Sequence, residues 1–383
     1  MWITSSLATA LTPTSVALGN FDGVHRGHQQ VIKPILKKSG TYRAIAKPLC
    51  ENTQADEELK ECCSAVAIPG TVNAAGQELG RIIVTPSAVE WYGQVDSCSL
   101  PTFNFESQAD GGTGQIYPTV ATFYPHPREF FSGQPWKLLT SPVEKVQQLR
   151  RLGVEQLVLL PFDQELASLS PEEFVETILV RQLQAKQVSV GEDFCFGHRR
   201  AGTSSDLKAI ASAYGIDVTI VSLQTCQEER ISSSLIRHSL QQGDISQANR
   251  LLGYPYTLTG VVVKGQQLGR TIGFPTANLQ LPTEKFLPRQ GVYAVRVYGS
   301  SPASPRSSQP GVMNIGQRPT VNGIGLTVEI HLLDWSGDLY GQTLTVSLEQ
   351  FLRPEQKFAS LDALKMQIQA DCEAARTFLG ARG

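Results

Sequence analysis

The chain carries two different hydrophobic patterns, one in each part. Up to about residue 253, short apolar runs alternate with segments in which apolar residues recur at helical spacing. From Tyr254 onward, short segments alternate between apolar and polar residues with a period of two. The sequence therefore predicts two domains, residues 1–253 and residues 254–383, with the boundary at residues 253–256.

The first pattern predicts an α/β domain. A strand over residues 15–18 leads into a glycine-bearing turn and a helix, which Pro34 is expected to kink or end. Further strands are predicted in TVATF from Thr119, in GVEQLVLLPF, and over residues 187–190 and 217–223, with helices over residues 141–152, after Ser170 and over residues 205–214. This alternation is typical of a mainly parallel, Rossmann-like sheet, whose ligands lie at the carboxyl ends of strands.

The second pattern predicts an all-β domain. The segments TLTGVVVKG, GVYAVRVYG, LTVEIHLLD and QTLTVSLEQFL are joined by turns rich in Gly, Pro and Ser. Short strands of this kind favour a small antiparallel barrel. A closing helix from about Leu361 places Leu364, Ile368 and Ala375 on one face, which is expected to pack on the barrel.

Between these patterns lies a segment without clear periodicity, residues 39–116. Its polar, glycine-bearing and acidic stretches predict a poorly ordered or loosely packed insertion, where a short connection would be usual. Such a loop costs little closure entropy if its ends stay close. After the strand TVATF, the two prolines of YPHPREFF predict an extended loop.

Composition narrows the classes of partner. The 383 residues include 33 basic and 35 acidic side chains, so the net charge of -2 provides no positive field for nucleic acid or anionic lipid. The first basic residue is Arg26, and no apolar run reaches the roughly 18 residues that span a bilayer. We therefore expect a cytoplasmic protein. The seven cysteines show no C-x-x-C spacing and are expected to be free thiols.

The turn GNFDGVHRGH at residues 19–28 places two imidazoles at the start of the first helix. His25 and His28 are three residues apart, so both rings can point to one side, toward a phosphate. Imidazole and backbone N–H donors can stabilise a transferring adenylyl group, and Gly19 and Gly23 permit a tight turn. A helix-capping turn with two surface histidines is the alternative.

Three further segments of the first domain contain side chains suited to binding phosphate, polar groups or an aromatic ring of a ligand. In RISSSLIR, at residues 230–237, the serines can cap a helix and Arg237 can bind two phosphate oxygens, although an ordinary capped helix is the alternative. His126 in PHP can bind polar groups, and a rigid turn is its alternative. In GEDFCFGHRRAG, Asp193 is a polar ligand and Phe194 can pack on a ring, with core packing as the alternative.

The second domain contains GQQLGRTIGFPTANL at residues 265–279. It is no Walker A sequence, because Gly269 is followed by Arg270, but its backbone can fold over phosphates while Arg270 adds charge. Thr276 and Asn278 are two residues apart and share one face of an extended chain. Their oxygen atoms suit Mg²⁺, which bridges ATP phosphates.

The strand LTVEIHLLD displays a carboxylate on one face. Strict alternation places Thr327, Glu329 and His331 on one side and Val328 and Ile330 on the other. Taken without the other segments, Glu329 fits a solvated strand face better than a site.

Together, these segments resemble a known family. H-x-G-H and RISSSLIR resemble the H-x-G-H and I-S-S-T-x-I-R signatures of the nucleotidyltransferase superfamily, with Ser234 in place of the usual threonine. ATFYPHPREFF, GEDFCFGHRRAG and GRTIGFPTAN narrow the resemblance to the bifunctional riboflavin kinase/FAD synthetases. It covers roughly residues 15–37 and 117–380 in the same order, and the insertion is its departure.

The resemblance implies two activities, both with Mg²⁺. The C-terminal domain would convert riboflavin and ATP to FMN and ADP, and the N-terminal domain would convert FMN and ATP to FAD and diphosphate. It implies catalytic roles for His25, His28 and Glu329, the last as general base toward the riboflavin 5′-hydroxyl. The other implied sites are nucleotide-binding (Gly19, Asn20, Phe21, Asp22, Gly27, Ser233, Ser234, Arg237, Gly269, Arg270), flavin-binding (His126, Asp193, Phe194, Arg353) and metal-binding (Thr276, Asn278).

Two alternatives stay open. One is a riboflavin kinase whose first domain is silenced by the insertion, and the other is a non-catalytic sensor of flavin and nucleotide. In each case the expected partners are the small molecules ATP, riboflavin and FMN, without nucleic acid or membrane. The sequence does not define an oligomeric state.

Overall fold

The computed structural model describes two compact units that do not follow the linear division of the chain. The described residues are 1–36, 66–68, 81–84, 89–92, 115–222, 225–226, 229–265, 268–299, 308–320 and 323–380. Unit 1 comprises Met1–Asn20, Gln30–Phe130 and Arg150–Ser222, and unit 2 comprises Phe21–Gln29, Phe131–Leu149 and Leu223–Gly383.

Unit 1 is built on a six-stranded sheet in which all neighbouring strands are parallel. In sheet order the strands are β1 (Trp2–Thr4), β7 (Gln156–Pro161), β6 (Tyr117–Tyr124), β2 (Thr14–Leu18), β8 (Ala185–Gly191) and β11 (Asp217–Val221). The α/β class is confirmed. Strand β1 is an addition, since the sequence pattern did not predict it.

The strands of this sheet are held by apolar residues that are buried on both faces, as parallel sheets require. Every residue of β2 is buried, and its Val16 and Leu18 belong to one hydrophobic cluster with Val188 and Val190 of β8. Helical residues close the cluster, among them Phe174.

The helices of unit 1 are α4 (Gln164–Ser168), α5 (Pro171–Phe174) and α6 (Ser204–Ser212), and two short strands, β9 (Cys195–Phe196) and β10 (Gly202–Thr203), pair antiparallel. Helix α5 begins at the predicted cap, where Ser170 and Glu173 exchange hydrogen bonds between side chain and backbone. The helix continues beyond α5, since residues Val175–Gln182 form a π-helix.

Three helices contain residues of both units: α1 (Arg26–Ile32), α2 (Pro127–Ser132) and α3 (Pro142–Arg151). Helix α1 ends before Pro34 and is followed by a 3₁₀ turn over Lys33–Ile35, as the proline predicts. Helix α2 corrects the expected extended loop: Pro127 lacks an N–H, and it occupies the first helical position, where none is needed.

Unit 2 contains a closed barrel of six antiparallel strands. In barrel order they are β14 (Thr257–Val263), β15 (Ala277–Gln280), β18 (Gly323–Leu332), β17 (Gln309–Thr320), β16 (Gly291–Gly299) and β19 (Thr343–Arg353). A two-stranded ribbon, β12 (Thr225–Cys226) and β13 (Glu229–Arg230), precedes them, and the helices are α7 (Ser233–Gln242), α8 (Ile245–Leu252), α9 (Leu268–Thr271) and α10 (Leu361–Gly380). The predicted barrel with a C-terminal helix is confirmed.

Two apolar clusters hold the barrel. Leu258, Tyr293 and Ile330 belong to an inner cluster that also includes Ile236 of α7 and Leu252 of α8. On the outer side, α10 packs through Cys372, Ala375 and Leu379 on three barrel residues, which are Val292, Ala294 and Val312. The predicted packing face of α10 is confirmed at Ala375.

Within the predicted insertion at residues 39–116, the structure describes three strands. These are β3 (Val66–Ile68), β4 (Arg81–Val84) and β5 (Val89–Tyr92), which pair in an antiparallel sheet that the sequence did not predict. The expectation of poor order concerns residues that lie outside the described ones. None of the helices in the described ranges has both the length and the apolar composition that crossing a membrane requires.

Candidate functional sites

The carboxyl edge of the sheet in unit 1 gathers several predicted site residues. Strand β2 lies between β6 and β8. The loops that follow these three strands therefore leave from one edge, the usual ligand site of such sheets. They carry Gly19 and Asn20 after β2, His126 after β6, and Asp193 and Phe194 after β8.

Local hydrogen bonds fix the first two of these loops. The Thr122 hydroxyl donates to the Asn20 carbonyl at 2.9 Å, and Gly19 N donates to the Ala121 carbonyl at 3.3 Å. His126 Nδ1 accepts the N–H of Arg128 at 3.1 Å, so its Nε2 is the ring nitrogen that carries hydrogen. His126 thus caps α2.

The third loop carries one polar and one aromatic side chain. The Asp193 carboxylate lies 3.1 Å from the position that a Cβ on Gly191 would occupy, so a side chain at Gly191 would press on it. The ring of Phe194 stacks on Phe196, with 5.8 Å between centroids, and packs against the core of unit 1. The structure therefore shows the alternative of core packing for Phe194, and its contact with a ligand ring stays a prediction.

The loop that leads into α1, residues 21–25, carries His25; it belongs to unit 2 and has an unusual backbone. Phe21, Gly23 and Val24 have φ values of 45°, 88° and 37°. Positive φ is strained for a phenylalanine and more so for a β-branched valine. Such strain persists only where surrounding contacts fix the backbone, and it is concentrated at functional loops.

The two imidazoles of H-x-G-H form a stacked pair. Their ring centroids are 3.6 Å apart and their planes differ by 15°, while His25 Nδ1 accepts the N–H of His28 at 3.3 Å. A Cβ on Gly27 would lie 3.2 Å from the His25 ring, which explains glycine at this position. The predicted placement of both rings on one side is therefore present in the structure.

The surroundings of His28 lower its pKa. Burial, followed by the neighbouring His25 and Lys145, holds the pKa of His28 well below its ordinary value of 6.5. His28 is therefore a neutral donor at neutral pH. Its Nδ1 is buried and has no hydrogen-bond partner among the residues that the structure describes.

Asp22 anchors this loop from within. It is 3 % exposed, and its carboxylate accepts the N–H of Leu139 at 2.7 Å and a guanidinium hydrogen of Arg237 at 2.5 Å. The Arg237 guanidinium lies between the rings of Trp136 and Phe286, 4.8 Å from each centroid. Asp22 and Arg237 therefore form an ion pair with each other in the structure. A nucleotide contact for either residue stays a prediction.

Helix α7 and the segment after α8 add further contacts. The Ser233 hydroxyl donates to the Asp22 carbonyl at 2.8 Å, and the Tyr254 hydroxyl donates to the Gly23 carbonyl at 2.6 Å. Ser232, not one of the predicted site serines, caps α7 by accepting the N–H of Leu235. Ser234 is exposed on the first turn of this helix.

Lys145 on α3 is a site residue that the sequence analysis missed. It is buried, and its charge interacts with both His28 and Asp22. Burial lowers the pKa of its ammonium group to about 8, against the opposing effect of the Asp22 carboxylate. Its sequence context, a lysine in an amphipathic helix 117 residues or more from the H-x-G-H turn, gave no signal for this placement.

The barrel displays Glu329 between two amides. In the strand pairing, Glu329 lies opposite Asn278 on β15 and opposite Asn314 on β17. Directly opposed residues of antiparallel strands share one face, so the three side chains form a row. Since Val328 and Ile330 are buried in the inner cluster, this row is on the outer face, as the alternation predicted. Asn314 was missed, although it is a lone polar residue in GVMNIG.

Gly265, and Gly269 of α9, pack against the predicted metal ligands. A Cβ on Gly265 would collide with the side-chain amide of Asn278, and one on Gly269 would lie 3.3 Å from Thr276 Oγ1. The backbone at these two glycines therefore lies close to the side chains of Asn278 and Thr276. Arg270 is exposed and lies over the Tyr340 ring, 5.9 Å from its centroid.

Arg353 has a strong partner within the protein. Its Nε and Nη2 donate to the Asp371 carboxylate of α10 at 2.9 and 2.8 Å, and Nη1 donates to the Pro354 carbonyl. This paired geometry fixes α10 to the end of β19. The predicted flavin contact of Arg353 stays a prediction.

The fold and these side chains define a two-part transferase that uses nucleotides. Family models match in both parts: riboflavin kinase over residues 252–379, and FAD synthetase over residues 7–46 and 107–235. The bifunctional riboflavin kinase/FMN adenylyltransferase of Escherichia coli K12 is 42% identical over 276 residues, which are 71% of this chain and 86% of that protein. The protein of that name from Listeria monocytogenes is 36% identical over 272 residues, 70% and 84% of the two chains.

The chain belongs to the family of bifunctional riboflavin kinase/FMN adenylyltransferases. The chain is also similar to a solved structure, that of a Streptococcus pneumoniae protein named as a macrolide-efflux protein, with a TM-score of 0.69, 27% identity and coverage of 98% of both chains.

Proposed function

We propose that this chain catalyses two consecutive reactions of flavin cofactor synthesis. Residues 254–383 transfer the γ-phosphoryl group of ATP to riboflavin, and residues 1–253 transfer the adenylyl group of a second ATP to the resulting FMN. The observation that supports this best is the presence of two separate polar groups, the stacked His25–His28 pair and the Glu329 row, in a member of this family.

For the kinase reaction, we assign Glu329 as the general base. The ladder on both sides fixes its backbone, so the carboxylate is held where it can accept the proton of the riboflavin 5′-hydroxyl as this oxygen attacks phosphorus. Gly269 and Arg270 would contact the ATP phosphates. Arg353 would contact the flavin while it holds α10.

Mg²⁺ fits the same face of the barrel. Thr276 and Asn278 offer hard oxygen ligands, and the backbone at Gly265 and Gly269 packs against both. Among the described residues no three His, Cys, Asp or Glu side chains form a metal-binding group, and a magnesium ion that also binds ATP phosphates and water needs none. When bound, the ion would neutralise charge on the phosphates.

For adenylyl transfer, we assign charge stabilisation to His25 and His28. Both are hydrogen-bond donors held by stacking, and neither needs to form a covalent bond. The proposed nucleotide contacts are Gly19, Asn20, Phe21, Asp22, Gly27, Ser233, Ser234 and Arg237. The proposed FMN contacts are His126, Asp193 and Phe194, and both reactions are expected to take place in the cytoplasm.

Two assays on the purified chain test the proposal. With riboflavin, ATP and Mg²⁺ we expect FMN and ADP, and with FMN, ATP and Mg²⁺ we expect FAD and diphosphate, both separated by chromatography. FMN without FAD would establish the alternative of a kinase with a silenced first domain. Binding of both ligands without turnover would instead establish a sensor.

A pH profile tests the role of Lys145. Its pKa of about 8 means that the ammonium group is charged below pH 8 and loses its charge as the pH rises above it. Since a cation beside His28 favours the anionic phosphates of ATP, we expect kcat/KM for ATP in FAD formation to fall about tenfold above pH 8. Initial rates from pH 6.5 to 9.5 measure this.

Two variants provide the controls for this profile. Lys145→Arg keeps its charge throughout the range, so its kcat/KM for ATP is expected to fall less above pH 8. For Lys145→Met, kcat/KM for ATP is expected to be low at every pH. The riboflavin kinase rate of each sample corrects for the ionisation of ATP. A fall of the original size in Lys145→Met would show that another group is responsible.

A further inference from the structure

A buried lysine in the part matched by the riboflavin kinase model has no evident task in the kinase reaction. The side chain of Lys285 is 1 % exposed, and Nζ donates to the Leu139 carbonyl and to the Glu144 carboxylate, each at 2.6 Å. The ring of Tyr256 lies 4.3 Å from the same nitrogen. All four residues belong to unit 2.

Glu144 joins this lysine to the barrel and to α3. One carboxylate oxygen accepts the N–H of Thr259 on β14 at 3.0 Å. The other accepts the N–H of Ser141 at 2.9 Å as well as Lys285. A buried ion pair contributes little net stability after desolvation, but its directional bonds fix the groups that they join. Here they fix residues 139–144.

Leu139 links these hydrogen bonds to the loop of residues 21–25, which precedes α1. While its carbonyl accepts from Lys285, its N–H donates to Asp22 at 2.7 Å. The next residue adds a second link, because the Thr140 hydroxyl accepts the N–H of Gly23 at 3.1 Å. An uninterrupted series of hydrogen bonds therefore runs from β14 through Glu144, Lys285 and Leu139 to the loop.

The loop needs such support. Phe21 and Val24 have positive φ values, and residues of these types relax toward ordinary backbone angles when their surroundings loosen. His25 follows Val24 directly, so a relaxed loop would move its ring and disturb the stack with His28. Displacement of a catalytic group by about 1 Å is enough to lower a rate markedly.

We propose that Lys285 is a positioning residue for adenylyl transfer, although it lies in the part of the chain matched by the riboflavin kinase model. It acts through Leu139 and Asp22 on His25, and it touches neither substrate. This inference rests on the proposed role of the histidine pair.

Replacement of Lys285 by Met tests the inference. We expect kcat for FAD formation to fall at least about tenfold, with a smaller change in KM for ATP, while FMN formation by the same sample keeps its rate. Lys137→Met is the matched control. Lys137 also contacts the segment after β15, donating to the Thr283 carbonyl at 2.5 Å, but it is exposed, and its loss is expected to change neither rate.

Lys285→Met leaves Glu144 buried without its counter-charge, so the double variant Lys285→Met/Glu144→Gln separates positioning from folding. We expect the double variant to regain most of the thermal midpoint but not kcat for FAD. Recovery of FAD formation together with stability, or parallel loss of both activities in the double variant, would overturn the inference. Failure of the unmodified chain to make FAD would instead overturn the adenylyltransferase proposal itself.

Discussion

The Glu329→Gln variant is expected to phosphorylate riboflavin about 10²- to 10⁴-fold more slowly than the original chain, which is the usual contribution of general acid–base catalysis. Glutamine keeps the size of the side chain and its place opposite Asn278 and Asn314, but it cannot take up the proton of the 5′-hydroxyl. The effect should therefore appear in kcat, with KM values for riboflavin and ATP within about threefold. Steady-state production of FMN, followed by chromatography, measures both constants.

A matched control is available on another strand of the barrel, β19. Glu349 is also a half-buried glutamate of the barrel, and its carboxylate accepts a hydrogen bond from the Ser347 hydroxyl. Glu349→Gln is expected to keep the original kcat. A Glu329→Gln variant that retains more than a tenth of its FMN production would remove Glu329 from the role of base.

The second large effect is expected for His28→Asn in FAD formation. Loss of one donor to developing charge typically lowers kcat by about 10²- to 10³-fold, or about 3–4 kcal/mol. His28 suits such a role because its ring is stacked on His25 and because its Nδ1 has no hydrogen-bond partner among the described residues. Because the pKa of His28 is well below 6.5, titration of this histidine should not contribute to the pH dependence of the rate near pH 6.5.

The test measures diphosphate release with FMN and ATP for His28→Asn and for His238→Asn. His238 is exposed on α7, so its replacement is expected to leave the rate unchanged. Riboflavin phosphorylation reports the folded fraction of each sample. Equal FAD formation by the two variants would assign the stacked pair a structural task only.

The sequence predicted the elements whose signals are local. Pro34 ended α1, Ser170 capped α5, and the alternation around Glu329 put the carboxylate on the outer face of the barrel. Each of these features depends on neighbours within a few residues. Local pattern was therefore sufficient for the fold class and for the face on which Glu329 lies.

Features that depend on distant contacts were not predictable in this way. The Lys285–Glu144 pair joins residues 141 positions apart, and the pairing of Asn314 with Glu329 depends on strand register. Lys145 has no distinctive motif around it, and only burial gives it a pKa of about 8. Arg237 was predicted from its motif, but its contact with Asp22 requires the folded loop.

The path of the backbone has a consequence for inheritance. The chain passes between the two compact units five times, after Asn20, Gln29, Phe130, Leu149 and Ser222. A recombination event at any single point after Phe21, including the boundary at Gly253, would divide the residues of unit 2 between two chains. Gene fission should thus be disfavoured in this lineage, and the two proposed steps of flavin synthesis should stay within one reading frame.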